Sequence, residues 1–151
     1  HTVLAGAVCG LLVVLLTRRL ALEGGGVDDH RPAAPGSVPE PAGEIGPDEG
    51  PVMVTVEYFI DPARAAEFAE LMHETRSARL RQGALSWGLF RDAAVTGRYL
   101  EYFVDESWLE HQRRMERFTA GDSALRARRL AFHIGAEPPK VQRFVAEPMD
   151  R

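Results

Sequence analysis

In the stretch SWLEHQRRM, Trp108 and His111 stand one helical turn apart. Residues three apart share a helix face, so an indole and an imidazole would point the same way. The pair could line a pocket for a small ligand, with Trp87 and Tyr102 as further aromatic candidates. The plainer reading makes Trp108 a core anchor and His111 a partly buried, hydrogen-bonded histidine, with Trp87 and Tyr102 as sheet packing. Metal chemistry finds no support: His73 and His133 have no acid or cysteine at a ligand spacing. There is no glycine-rich phosphate loop, and the triplet starting at Gly24 follows no strand. No residue is assigned as catalytic, cofactor-binding or metal-ligating, and no cofactor is expected.

Charge narrows the function class. The 151 residues carry a formal net charge of −4, which gives no electrostatic case for nucleic acid. The excess acid sits in one place. Glu23 to Gly50 holds seven acids and one base, Arg31, whereas Pro51 to Arg151 holds fifteen of each. The single cysteine, Cys9, permits no intrachain disulfide.

The chain falls into three segments. Residues 2–17 carry no charge, and Arg18 and Arg19 end the run. A signal peptide places its positive charge before the apolar core; here it follows. A buried core helix shows a polar stripe, and Val3 to Leu16 shows none. Residues 1–22 therefore read as the end of a transmembrane helix in contact with lipid, a little short of the ~20 residues a bilayer requires. Basic residues favour the cytoplasmic side, so everything after Arg19 is expected to be cytoplasmic. Residues 23–51 are rich in proline, glycine and acid, with sparse, aperiodic apolar residues. Such a stretch cannot offset its chain entropy by burial, and a flexible linker is expected.

Residues 52–151 read as an α+β domain. VMVTVEYFI alternates as a strand, with Val52, Val54, Val56, Tyr58 and Ile60 on one face. Asp61 and Pro62 open a helix that runs to about Gln82, burying Phe68, Leu71, Met72, Thr75 and Ala78, and Gly83 stops it. ALSWGLFRD and RYLEYFVDE form a hairpin about Gly97. SWLE predicts a capping box between Ser107 and Glu110, and Asp122 is expected to cap a further helical piece. KVQRFVAE is the last strand. The order is βαββαβ, the ferredoxin-like plan of an antiparallel sheet with helices on one face. Yet both sheet faces keep large apolar groups: Met53 and Phe59 lie opposite the valines, and Tyr99 and Phe103 alternate with Leu100, Tyr102 and Val104. A face left open by the helices should be polar, so a second copy of the sheet is expected to cover it, giving a homodimer.

The stretch from VMVTVEYFIDPARAAEF through GALSWGLFRD, YLEYFV and SWLEH resembles the cytoplasmic C-terminal domain of one bacterial branch of the major facilitator superfamily. That branch comprises the enterobactin-exporter-like permeases, or transmembrane secretion effectors. The domain itself is similar, over roughly Val52 to Glu147, to the dimeric α/β-barrel, antibiotic-biosynthesis-monooxygenase-like fold. The resemblance implies that this is the C-terminal fragment of an inner-membrane transporter exporting small molecules of the drug or siderophore type. Its front end would be the last membrane helix, its partner the rest of the permease, and its soluble tail a device for assembly or regulation rather than an enzyme. The alternative is a membrane-tethered monooxygenase-like enzyme or small-ligand binder. In such families an aromatic residue and a histidine near this helix line a pocket for an aromatic substrate or haem. Here Met115 stands one turn beyond His111, where catalytic relatives often place a further histidine. VMVTVEYFI also offers no counterpart to the strand asparagine of haem-degrading relatives.

Overall fold

Alternating β-branched and aromatic residues make Val52–Phe59 the strand β1, and it occupies the interior of the sheet. The structure, a computed structural model, describes residues 38–149. The apolar run of residues 1–22 and the first part of the linker, residues 23–37, lie outside the described residues, together with Cys9, Arg18, Arg19 and Gly24. Among the described residues no helix is long and apolar enough to cross a membrane.

After β1, the Asp61 carboxylate accepts the Ala63 amide at 3.0 Å. One 3-10 turn, Pro62–Arg64, leads into helix α1, Ala65–Arg81. The five residues expected on the buried side of α1 are the five that are buried. Gly83 leaves the helix with φ of 104°, a conformation glycine adopts without penalty. Strands β2, Ser86–Arg91, and β3, Arg98–Asp105, form the expected hairpin.

Helix α2 spans Trp108–Glu116. Ser107 caps it by accepting the Glu110 amide at 3.2 Å. The return half of the expected box does not form, because Arg113 and Arg117 draw the Glu110 carboxylate outward. A complete box sits one helix later. Thr119 is the N-cap of α3, Ala120–Phe132, and Asp122 is its reciprocal partner. Asp122 thus caps from within the first turn rather than from the cap position itself. Strand β4, Lys140–Val145, closes the fold.

The sheet order is β2-β3-β1-β4, with every neighbour antiparallel. Register assigns the faces. Val54 lies opposite Phe103, and Tyr58 opposite Tyr99, so these residues share the helix-covered face. Met53 lies opposite Val104, and Glu57 opposite Leu100, so these share the open face. Core packing under α1 centres on Phe68, whose ring centroid lies 5.4 Å from those of Tyr58 and Tyr99 and 5.8 Å from that of Phe132.

The described end of the expected linker behaves differently from its composition. Residues 38–50 form no helix or strand, yet Ile45 packs against the cluster of Val52, Phe103 and Trp108. The first amides of a helix have no partner within it. Here Trp108 N donates to Glu49 O at 2.7 Å and Leu109 N to Pro47 O at 3.0 Å. The folded unit therefore begins ahead of Val52.

Candidate functional site: an arginine-lined cavity beside a buried acid network

Strand alternation carries two carboxylates onto the helix-covered face, where only apolar groups are comfortable. Glu101 lies between Tyr99 and Phe103 in β3 and is fully buried. It accepts hydrogen bonds from Tyr58 Oη at 3.1 Å, Arg79 Nε at 3.0 Å and Trp87 Nε1 at 3.0 Å. Burial alone would raise its pKa, but the Arg79 and Arg129 guanidiniums outweigh burial and hold it below the ordinary carboxylate range. Burial, reinforced by Glu101, pushes the Tyr58 hydroxyl well above its ordinary value. Tyr58 therefore remains a donor at any physiological pH.

Asp105 ends the same strand, two residue pairs along. Arg114 grips it with both Nε, at 2.9 Å, and Nη2, the bidentate geometry that suits a carboxylate. His111 Nδ1 lies 2.9 Å from Oδ2. A carboxylate only accepts, so Nδ1 is the donor. Burial opposes ionisation here too, but the bonds from His111 and Arg114 prevail and hold the Asp105 carboxyl low. The Arg79 and Arg114 guanidiniums each lie 4.2 Å from the Phe103 ring centroid, a favourable cation–π distance.

Beside this network lies an open-mouthed cavity of about 320 Å³, bordered by the covered face of the sheet, α2 and α3. Val54, Val56, Phe103 and Val141 form apolar wall, and Met115 and Phe118, both exposed, mark its mouth. Five arginines stand in the lining: Arg79, Arg114, Arg126, Arg129 and Arg143. No carboxylate lines it. Arg79 and Arg114 are neutralised by Glu101 and Asp105. Arg143 lies 5.0 Å from the Trp108 ring centroid and donates to Pro39 O. Arg129 is 5% exposed, and its hydrogen bond goes to the neutral Thr75 hydroxyl at 3.3 Å. Burial pulls its guanidinium below the ordinary value.

Of the four aromatic and histidine candidates, His111 lines this cavity. Trp108 lies behind the wall, its ring centroid 5.3 Å from that of His111. Trp87 serves the Glu101 network. Tyr102 sits on the opposite face of the sheet, stacked on Phe90 with 5.8 Å between centroids. Met115, one turn beyond His111, is in the lining with it. His133 is a structural clip: its Nδ1 accepts the Phe59 amide at 3.0 Å and its Nε2 donates to Glu137 O at 2.8 Å. No group of acids, histidines and cysteines fit to hold a metal occurs among the described residues. Sequence reasoning missed the arginines and their two acids. Parity was the available signal, since Glu101 and Asp105 alternate in step with Tyr99 and Phe103.

Comparison with known proteins matches residues 1–150 to the family described as transmembrane secretion effector. No curated protein matches the chain. Among solved structures, a candidate antibiotic biosynthesis monooxygenase from Caulobacter crescentus is similar at 22% identity and TM-score 0.55, over 67% of this chain and 93% of that one. A candidate antibiotic biosynthesis monooxygenase from Bordetella bronchiseptica is similar at 20% identity and TM-score 0.55, over 67% of this chain and all of the other. SnoaB, a cofactor-independent oxygenase from Streptomyces nogalater, is similar in a mutant form at 19% identity and TM-score 0.54, over 68% and 96%. These likenesses are of fold. With the family match running almost end to end, the chain belongs to the transmembrane secretion effector family, and its described part has the antibiotic-biosynthesis-monooxygenase-like, ferredoxin-like fold.

Proposed function

We propose that the chain is the C-terminal part of a membrane permease that exports small molecules of the drug or siderophore type. Its α+β unit serves assembly by pairing with a second copy. One observation carries the reading: a single family match runs continuously through both the apolar front end and the α+β unit. The assembly role is supported by the open sheet face, where Met53, Phe59, Phe90, Leu100 and Phe144 are each more than a third exposed. An apolar face of this kind usually marks an interface. The expected localisation is the inner membrane, with residues after Arg19 cytoplasmic and in contact with the rest of the permease.

The transport reading is tested with the intact permease in a bacterium lacking its main efflux pumps. Expression should lower the accumulation of at least one compound in a panel of dyes, antibiotics and siderophores. Unchanged accumulation across the panel, with the protein shown to be in the membrane, would count against it.

A second reading is favoured by the fold neighbours and the cavity: a membrane-tethered enzyme of the oxygenase type. Met115 beside His111 weighs against it, because the cavity then offers one imidazole rather than two. Turnover of a quinol-like substrate that His111→Ala abolishes would favour the enzyme.

A further inference from the structure

The five cavity arginines are served by two buried carboxylates, leaving a surplus of three guanidiniums around an apolar space. Buried charge is costly unless it is paired. Arg129 is nine-tenths buried, lines the cavity, and makes no ion pair among the described residues. Arg126 lines it as well and makes neither a hydrogen bond nor an ion pair among the described residues. Arg129 acts on Glu101 through space, but the carboxylate's hydrogen-bonded arginine is Arg79, as that of Asp105 is Arg114, and Phe103 is already covered by Arg79 and Arg114.

We propose that the cavity is a binding site for a small amphipathic anion, an aromatic carboxylate. The carboxylate would be received by Arg126 and Arg129, and the ring would rest on Val54, Val56 and Val141. Each part of the ligand answers an observation. The surplus of guanidiniums selects an anion and repels cations. Planar guanidinium forks match a carboxylate bidentately. The apolar sheet wall would be left wet by an inorganic ion or a polyphosphate and is dried by a ring. The volume lies at the low end of small-ligand pockets, roughly 300–1,000 Å³, which suits one or two fused rings. The exposed Met115 and Phe118 give an entry path, and flexible thioethers adapt to varied apolar shapes. The proposal stands apart from the assembly role, since the cavity lies on the helix-covered face and the pairing surface on the other.

The test is calorimetric titration of the full chain in a nonionic detergent, with a micelle-only blank, using 1-naphthoate and the uncharged 1-naphthamide. Naphthoate should bind at least about tenfold more tightly than naphthamide, equivalent to about 1.4 kcal/mol. Arg126→Gln removes a half-buried charge with no partner and should leave the fold intact. It should weaken naphthoate several-fold and leave naphthamide unchanged. Arg129→Met should abolish the discrimination. Equal affinities for the two compounds, binding of neither at millimolar concentration, or discrimination that survives Arg126→Gln would each overturn the proposal. None of these outcomes bears on transport or on self-association.

Discussion

Asp105 is the residue on which the site geometry turns. It fixes Arg114 by two bonds and His111 by one, and both of those side chains line the cavity. Asp105→Asn would leave a buried guanidinium without its counter-charge, a change that typically costs about 3–5 kcal/mol. Urea unfolding at neutral pH should show a loss of that size, and a loss below about 1 kcal/mol would mean the pair is not formed. The same carboxyl sets a pH dependence. Its pKa is depressed in the folded chain, as is that of Glu101, so the unfolded chain takes up protons first as pH falls. The resulting stability is fully present above the ordinary carboxylate range, around pH 4. It is lost as pH drops through the lower folded values. Urea midpoints measured from pH 7 down to pH 3 should fall more steeply for the native chain than for Asp105→Asn, once each is referred to its value at pH 7.

At the scale of elements, the docked segment 38–50 is the part that composition misjudged. Proline, glycine and acid predict a linker because they bury little. Three details reverse that outcome locally: the carbonyls of Pro47 and Glu49 meet the orphan amides of α2, and Ile45 reaches the core. A chain starting at Val52 should therefore be less stable than one starting at Val38, by about 1–3 kcal/mol for two uncapped amides and one lost apolar contact. Equal thermal midpoints for the two chains would contradict this. The strands, α1 and the hairpin were legible because period and turn chemistry agree over Val52–Phe59, Phe68–Ala78 and Gly97. The Thr119–Asp122 box was half legible, since a cap residue is recognised only with its partner three positions on. Trp87, Trp108 and Tyr102 could not be sorted among wall, core and opposite face without register. Gly88 shows why: a Cβ there would come within 2.3 Å of the Tyr102 ring, a contact made across strands and invisible along the chain.

On the scale of the whole molecule, two claims remain to be measured: where the chain lies, and what covers its open sheet face. Arg18 and Arg19 follow the apolar run, so a reporter fused after Arg151 of the intact protein should read as cytoplasmic, and a periplasmic signal would reverse the proposed orientation. The open face carries an exposed apolar group on every strand, from Phe90 in β2 to Phe144 in β4, beside a polar patch of Glu57, Arg98, Lys140 and Gln142. Pairing two such faces by a twofold axis would bury on the order of 1,200–2,000 Å². At roughly 25 cal/mol per Å² of apolar area the gross gain is tens of kcal/mol, most of which association costs remove, so a dimer with a roughly micromolar dissociation constant is expected. Sedimentation equilibrium of residues 38–151 at about 100 µM, roughly a hundred times that constant, tests this most directly. The mass of a dimer is expected, with a shift to monomer in Leu100→Glu, which sets a carboxylate opposite Glu57 on the paired face. A well-behaved monomer of the native sequence at that concentration would contradict it.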